Sequence, residues 1–207
     1  MAYSTVNNSQ AESGYYLADF ISKFVSPPTI AIVATVGFSL WSPIGLGSLY
    51  PALSILLCFS LFAFLPFLPV IYFYRKNVVD LYVSKKETRT PFFLIAIALY
   101  SFAAIIFFAT NTKIMFLLAL GYTFVTVILL VVNRFWKVSV HSAGVTGPIF
   151  ALIFVFGIIV IPLSLIILLV NWSRIKLKKH TFRQTLVGTL IPIAVGFVVY
   201  SILYPLG

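Results

Sequence analysis

Only four acidic residues occur in the 207, Glu12, Asp19, Asp80 and Glu87, and charged residues of both signs make up 9% of the chain. That scarcity excludes a soluble globular surface, which carries about 25% charged residues. It also argues against a magnesium-dependent prenyltransferase of the Asp-rich kind, because the four are scattered, with no pair at helical spacing. Cysteine is nearly absent. Cys58 stands alone inside the apolar run Tyr50 to Tyr74, so there is no disulfide framework and the residue reads as small apolar filler. Histidine occurs only twice, at His141 and His180. The first 27 residues lack the basic and apolar regions of a signal peptide. They are polar and end in an amphipathic stretch around Tyr16, Leu17, Phe20, Ile21 and Phe24, which predicts a lead-in helix lying in the membrane interface.

What the chain does have is apolar length. Hydrophobic residues make up 61% of it, and long runs bounded by charge, Pro or Gly predict spans at Thr29 to Leu46, Tyr50 to Tyr74, Pro91 to Thr110, Ile114 to Asn133, Ser142 to Asn171 and Leu186 to Tyr204. The runs are apolar on every face, whereas barrel strands alternate over about 10 residues, so the expected class is an all-α polytopic membrane bundle. Ser142 to Asn171 would make a straight helix of about 45 Å, against a hydrocarbon core of about 30 Å. Extended through Lys137 to Lys178, it is long enough for two helices with a turn near Gly157 to Pro162. The expectation is six to seven membrane segments in a single domain, 1–207, with the polar chemistry concentrated in 75–188.

That chemistry falls into three clusters: RKNVVDLYVSKKETR (Arg75 to Arg89), RFWKVSVH (Arg134 to His141) and SRIKLKKHTFR (Ser173 to Arg183). If the long run is a hairpin, two spans separate each cluster from the next and all three share one membrane face. Both histidines lie in the second and third clusters. His180 and Gln184 are i and i+4, on one helix face, and Ser139 and His141 precede the small-residue helix start Ser142-Ala143-Gly144, where free N–H groups favour an anion. Basic residues beside spans also serve as topology signals and lipid-headgroup contacts.

The spacing Ser173-Arg174, five residues, His180, three residues, Gln184 resembles the third motif, SRxxxxxHxxxD, of the type 2 phosphatidic acid phosphatase (PAP2) superfamily. Ser139-Val140-His141 resembles the SGH of its second motif, and KKETRTP, Lys85 to Pro91, resembles its first. The chain departs from the family at Val138 and Val140 in the second motif, at Thr90 and Tyr82 in the first, and at Gln184, where the family has aspartate. Gln can orient an imidazole N–H but does not offset a developing positive charge. The resemblance implies a PAP2-like fold and a metal-independent lipid phosphatase without cofactor. His180 would be the nucleophile that becomes phosphohistidine, His141 the acid and then base, and Gln184 the partner of His180. Arg89, Arg174, Ser139 and Lys85 or Lys86 would bind the phosphoryl oxygens. The implied partners are the bilayer and a membrane lipid phosphate or polyprenyl (di)phosphate, not nucleic acid. The rivals are a family member that binds anionic lipid with little or no turnover, a small transporter broken at Gly157 and Pro162, and a haem protein using the two histidines.

With seven crossings, thirteen of the fourteen basic residues share the motif face and Lys113 alone lies opposite. With the five cations of the site set aside, Lys85, Lys86, Arg89, Lys137 and Arg174, the positive-inside rule still predicts a plasma-membrane protein with a cytoplasmic site.

Overall fold

A computed structural model describes the backbone of residues 2–204 and the side chains of residues 13–204. The described residues form helices and contain no strand: α1 (Ala2–Phe24), α2 (Pro27–Trp41), α3 (Pro51–Arg75), α4 (Thr90–Ala109), α5 (Lys113–Phe135), α6 (Val140–Phe156), α7 (Ser164–Lys176) and α8 (Phe182–Leu203). Local chemistry starts most of them. Ser26 caps α2 ahead of Pro27 and Pro28, Pro51 opens α3, Ser139 caps α6, and Thr181 with Gln184 forms a capping box on α8. α2 stops at Trp41, short of the expected Leu46, because Pro43 holds Ser42 extended at φ −61° and ψ 125°. The middle of α3, Phe59–Phe64, is π-helical just upstream of Pro66, whose missing N–H removes the bond that Phe62 would otherwise receive.

Five stretches are long and apolar enough to cross a membrane, or six if the pair Ser13–Phe24 and Pro27–Trp41, bent by 49°, makes one span. One of the five, Val140–Lys176, has 37 residues and folds back on itself. Gly157 ends α6 at φ 70°, a conformation that glycine adopts without steric penalty, and a 3₁₀ segment, Gly157–Leu163, makes the turn. Val145 and Ile149 of α6 then share a buried cluster with Val170 of α7. A straight helix would hold Val145 and Val170 about 37 Å apart, so the turn falls in the expected interval.

The bundle therefore has two unlike ends. At one, Ser48 N–H donates to the Thr110 carbonyl at 3.0 Å and the Thr112 hydroxyl to the Leu46 carbonyl at 2.9 Å. At the other, the α1–α2 junction meets the loops 76–89, 136–139 and 177–181. Lys137 Nζ donates to the Lys179 carbonyl at 3.0 Å, and Lys86 Nζ reaches the Phe135 carbonyl at 3.4 Å. Helix α1 lies against α7 at this end. Its buried face presents Ala18 and Ser22, while Tyr16, Leu17, Phe20 and Phe24 are more than half exposed.

Candidate functional site

Arg89 lies just ahead of α4 and is 5% exposed. Its Nε donates to the Val83 carbonyl at 2.8 Å, and Nη1 donates to the Val138 carbonyl at 2.9 Å and to Asn133 Oδ1 at 3.2 Å. Asn133 in turn donates to the Lys86 carbonyl at 2.9 Å, so one guanidinium ties the first cluster to the second. The Val83 carbonyl is aimed by strain. This β-branched residue sits at φ 43°, held by a turn in which Ser84 donates from N and Oγ to the Asp80 carboxylate, both at 2.7 Å. The third cluster is docked by backbone: Ser139 N–H donates to the Gln184 carbonyl at 3.1 Å. That approach needs Gly188, because a Cβ there would lie 2.5 Å from the Ser139 carbonyl oxygen.

Arg174, 2% exposed, points from α7 toward the same region. Nη1 donates to Ser22 Oγ at 2.7 Å, the Tyr82 ring stacks with its centroid 4.6 Å from Cζ, and Nε is buried with no partner. The only ion pair among the described residues is Lys23 with Asp19. Two buried guanidinium groups thus share one region with no carboxylate paired to either. Burial and the Arg174 charge push Arg89 down to about 10, which leaves it cationic at neutral pH. Burial, then Arg89 and Arg174, also lower Lys137. Such an arrangement is costly unless an anion completes it.

His180 lies in the turn between α7 and α8. Gln184 Oε1 accepts from the Thr181 N–H at 3.2 Å and stands 3.1 Å from His180 Nδ1. An amide oxygen only accepts, so Nδ1 carries the proton and Nε2 keeps its lone pair. Burial first, then Arg174 and Arg89, drags His180 from its ordinary 6.5 to about 3, against the raising effect of Gln184. It is therefore a neutral imidazole with a free ring nitrogen among fixed positive charges. His141, in the first turn of α6, stands with Nε2 3.0 Å from the Val25 carbonyl. That carbonyl also only accepts, so Nε2 is protonated and Nδ1 is the atom available for proton transfer.

Arg89, Arg174, His141 and His180 line one cavity of about 610 Å³, together with Tyr82 and Ser22. Below them its walls are apolar and its depths reach Tyr100, Tyr122 and Tyr200. The structure brings together these four of the residues expected at the site, with Gln184 behind His180. Three other expected site residues stand apart from the cavity. Ser139 is wholly buried as the cap of α6, its Oγ accepting from the Ser142 N–H at 3.2 Å and the Ser142 hydroxyl at 2.8 Å. Lys85 is exposed, and Lys86 supports the 134–136 turn. The residues missed are Ser22, Asn133, Tyr82 as the ring under Arg174, and the Val25 carbonyl. Tyr82 had a signal, because it stands where the resembled first motif would have a lysine. The others had none, being bland residues brought in by tertiary packing. Among the described residues no three His, Cys, Asp or Glu side chains gather as a metal site. No family model, curated protein or solved structure matches this chain.

Proposed function

We propose that this chain is a membrane lipid phosphatase that works without a metal ion and hydrolyses a lipid phosphate or polyprenyl (di)phosphate through a phosphohistidine at His180. The observation that carries the reading is the pair of buried guanidinium groups of Arg89 and Arg174, neither held in an ion pair and both acted on by the Asp80 charge only at longer range, beside an imidazole whose Nδ1–H is held by Gln184 and whose Nε2 is free. Planar guanidinium groups match phosphoryl oxygens, and neutral imidazole is the nucleophilic form. In the first step the Nε2 lone pair bonds to the terminal phosphorus, its P–O bond to the leaving lipid alcohol, or to the lipid phosphate in a diphosphate, breaks, and the leaving oxygen takes a proton. Water then attacks phosphorus, the P–N bond breaks, and inorganic phosphate leaves with His180 regenerated. His141 Nδ1 is the proton carrier in both steps: charged once the bound phosphate offsets Arg174, it supplies the leaving oxygen, and the neutral form accepts from water.

In the membrane we read α2 to α8 as seven crossings, with α1 on the surface. The thirteen basic residues on the site end against Lys113 opposite support a cytoplasmic site, in what we take to be the plasma membrane. A specific observation favours a second reading, anionic-lipid binding with little turnover: Gln184 is neutral, so no carboxylate among the described residues pairs with the imidazolium that phosphorylation of His180 creates. Phosphate release from a panel of lipid phosphates by purified protein in excess chelator separates the two. The phosphatase reading expects release that is abolished in His180→Ala and strongly reduced in His141→Ala. Lipid bound without release selects the second reading.

A further inference from the structure

We propose that the cavity beneath the two arginines takes in one hydrocarbon chain of the phosphate-bearing lipid, so that protein walls rather than the bilayer surround the chain. This rests on the phosphate-binding reading of the same site. The arginines themselves require an amphiphile drawn inward, because groups 5% and 2% exposed are not reached by a headgroup that stays at the bundle's rim. A chain joined to a phosphate at that depth has to begin inside the protein.

The space below fits such a chain in length, section and wall chemistry. From Arg89 to Tyr100 is eleven residues along α4, about 16 Å, and half of a hydrocarbon core of about 30 Å is nearly the same. Tyr200, which also lines the cavity, stands eighteen residues, about 27 Å, along α8 from Phe182, so the cavity runs from the headgroup level to the bilayer midplane and past it. Its floor is aromatic: the Tyr100 and Tyr122 ring centroids are 5.0 Å apart and those of Phe62 and Tyr122 are 5.1 Å apart. Its volume of about 610 Å³ leaves room for at least one chain of that length. Small residues make the room. Gly121 lines the cavity in the middle of α5, and a Cβ added there would meet no atom within 4 Å, an open position inside a packed helix.

The flank supplies a way in from the bilayer. The first part of α3 and its π-helical turn pack on α2, whereas Leu65–Arg75 packs on α4 instead. Pro27 and Pro28 of α2 face the cavity from one side of the parting, and Pro66, Phe67 and Val70 of α3 from the other. Pro66 removes a bond from the backbone ladder within α3, so this part of α3 is the segment best suited to yield as a lipid passes.

The test uses the full-length protein in nanodiscs with a sixteen-carbon alkyl phosphate carrying a diazirine on its terminal carbon, the sites of photolabelling being mapped by mass spectrometry. Label is expected on Tyr100, Tyr122 or Tyr200, and Gly121→Leu is expected to lower it at least tenfold, since the added side chain enters the chain's path without meeting a neighbour. Label concentrated on the lipid-facing Phe102, Ile105 and Phe108, which are 54%, 66% and 73% exposed, would overturn the proposal. The wild-type labelling pattern decides even where the variant is unstable. Phosphate release by the same preparation is scored separately. Floor labelling without release keeps the chain site and removes the phosphatase reading, and release with outer labelling does the reverse.

Discussion

Replacing each site arginine by methionine is expected to move stability in opposite directions, although both changes remove anion binding. Arg89 has three acceptors, the Val83 and Val138 carbonyls and Asn133 Oδ1. Arg89→Met leaves them buried without a donor, at about 1–3 kcal/mol each. Relief of the desolvated charge returns several kcal/mol of that, and the net expectation is a loss of about 1–4 kcal/mol. Arg174 donates to Ser22 alone, stacks on Tyr82, and has a buried Nε with no acceptor. Arg174→Met gives up about 1 kcal/mol of hydrogen bond and about 0.5–2 of cation–π contact, and it removes a buried, unpaired charge whose desolvation amounts to several kcal/mol. Its net is therefore zero to about 3 kcal/mol of added stability. Thermal unfolding in one detergent, without and then with a saturating alkyl phosphate, reads both effects. Without ligand the Arg174→Met midpoint is at or above wild type and the Arg89→Met midpoint below it. Ligand at about a hundred times its Kd adds about 2.7 kcal/mol to wild type and nothing to either variant. A loss in Arg174→Met as large as in Arg89→Met, or a full ligand shift in either, would show that these guanidinium groups do not await an anion.

Three further outcomes follow from the same geometry. His180 is held neutral at about 3 in the folded chain against an ordinary 6.5, so the unfolded state binds the extra proton first. Its contribution is present above pH 6.5 and lost as pH falls toward 3, by up to about 1.4 kcal/mol per unit. Denaturant titrations at pH 7.5, 6 and 4.5 check this by comparison with His180→Asn, which should flatten the slope. Gln184→Glu keeps an oxygen in reach of His180 Nδ1 and of the Thr181 N–H while adding the missing negative charge. Phosphate release is expected to rise about tenfold, whereas a collapse would mean the neutral amide has its own role. Gly188→Ala sets a Cβ against the Ser139 carbonyl. It should cost about 1–3 kcal/mol as overpacking and lower activity by parting α6 from α8, measurable as a reduced melting midpoint together with reduced turnover.

The helices and the folded-back run were legible because apolar length is a strong signal and 30 residues are too many for one crossing. Gly157 and Pro162 marked the turn for known backbone reasons. Parity then put the three clusters at one end, and the motif resemblance singled out Arg89, His141, Arg174 and His180 within them. The limits of the reading are equally physical. A serine ahead of a helix is both a good anion ligand and a good cap, and only tertiary burial shows Ser139 in the second role. Lys85 and Lys86 read alike as cations beside Arg89, and only the folded loop shows Lys85 exposed and Lys86 turned to the Phe135 carbonyl. The cavity left no trace in the pattern: spans apolar on every face hide which positions face lipid and which face an interior space, so Gly121 and Tyr122 read like any other span residues. Ser22 and Val25 reach the site only because α1 lies across α7.

The most direct test of the central claim is trapping of the phosphoenzyme. Full-length protein is mixed with a lipid phosphate carrying labelled phosphorus, quenched in alkali where phosphoramidates survive, and digested for mass spectrometry. The account expects phosphate on His180, through Nε2, formed in excess chelator, absent from His180→Ala and retained longer in His141→Ala. Labelled inorganic phosphate released at an unchanged rate by His180→Ala, or phosphate carried on any other residue, would contradict it.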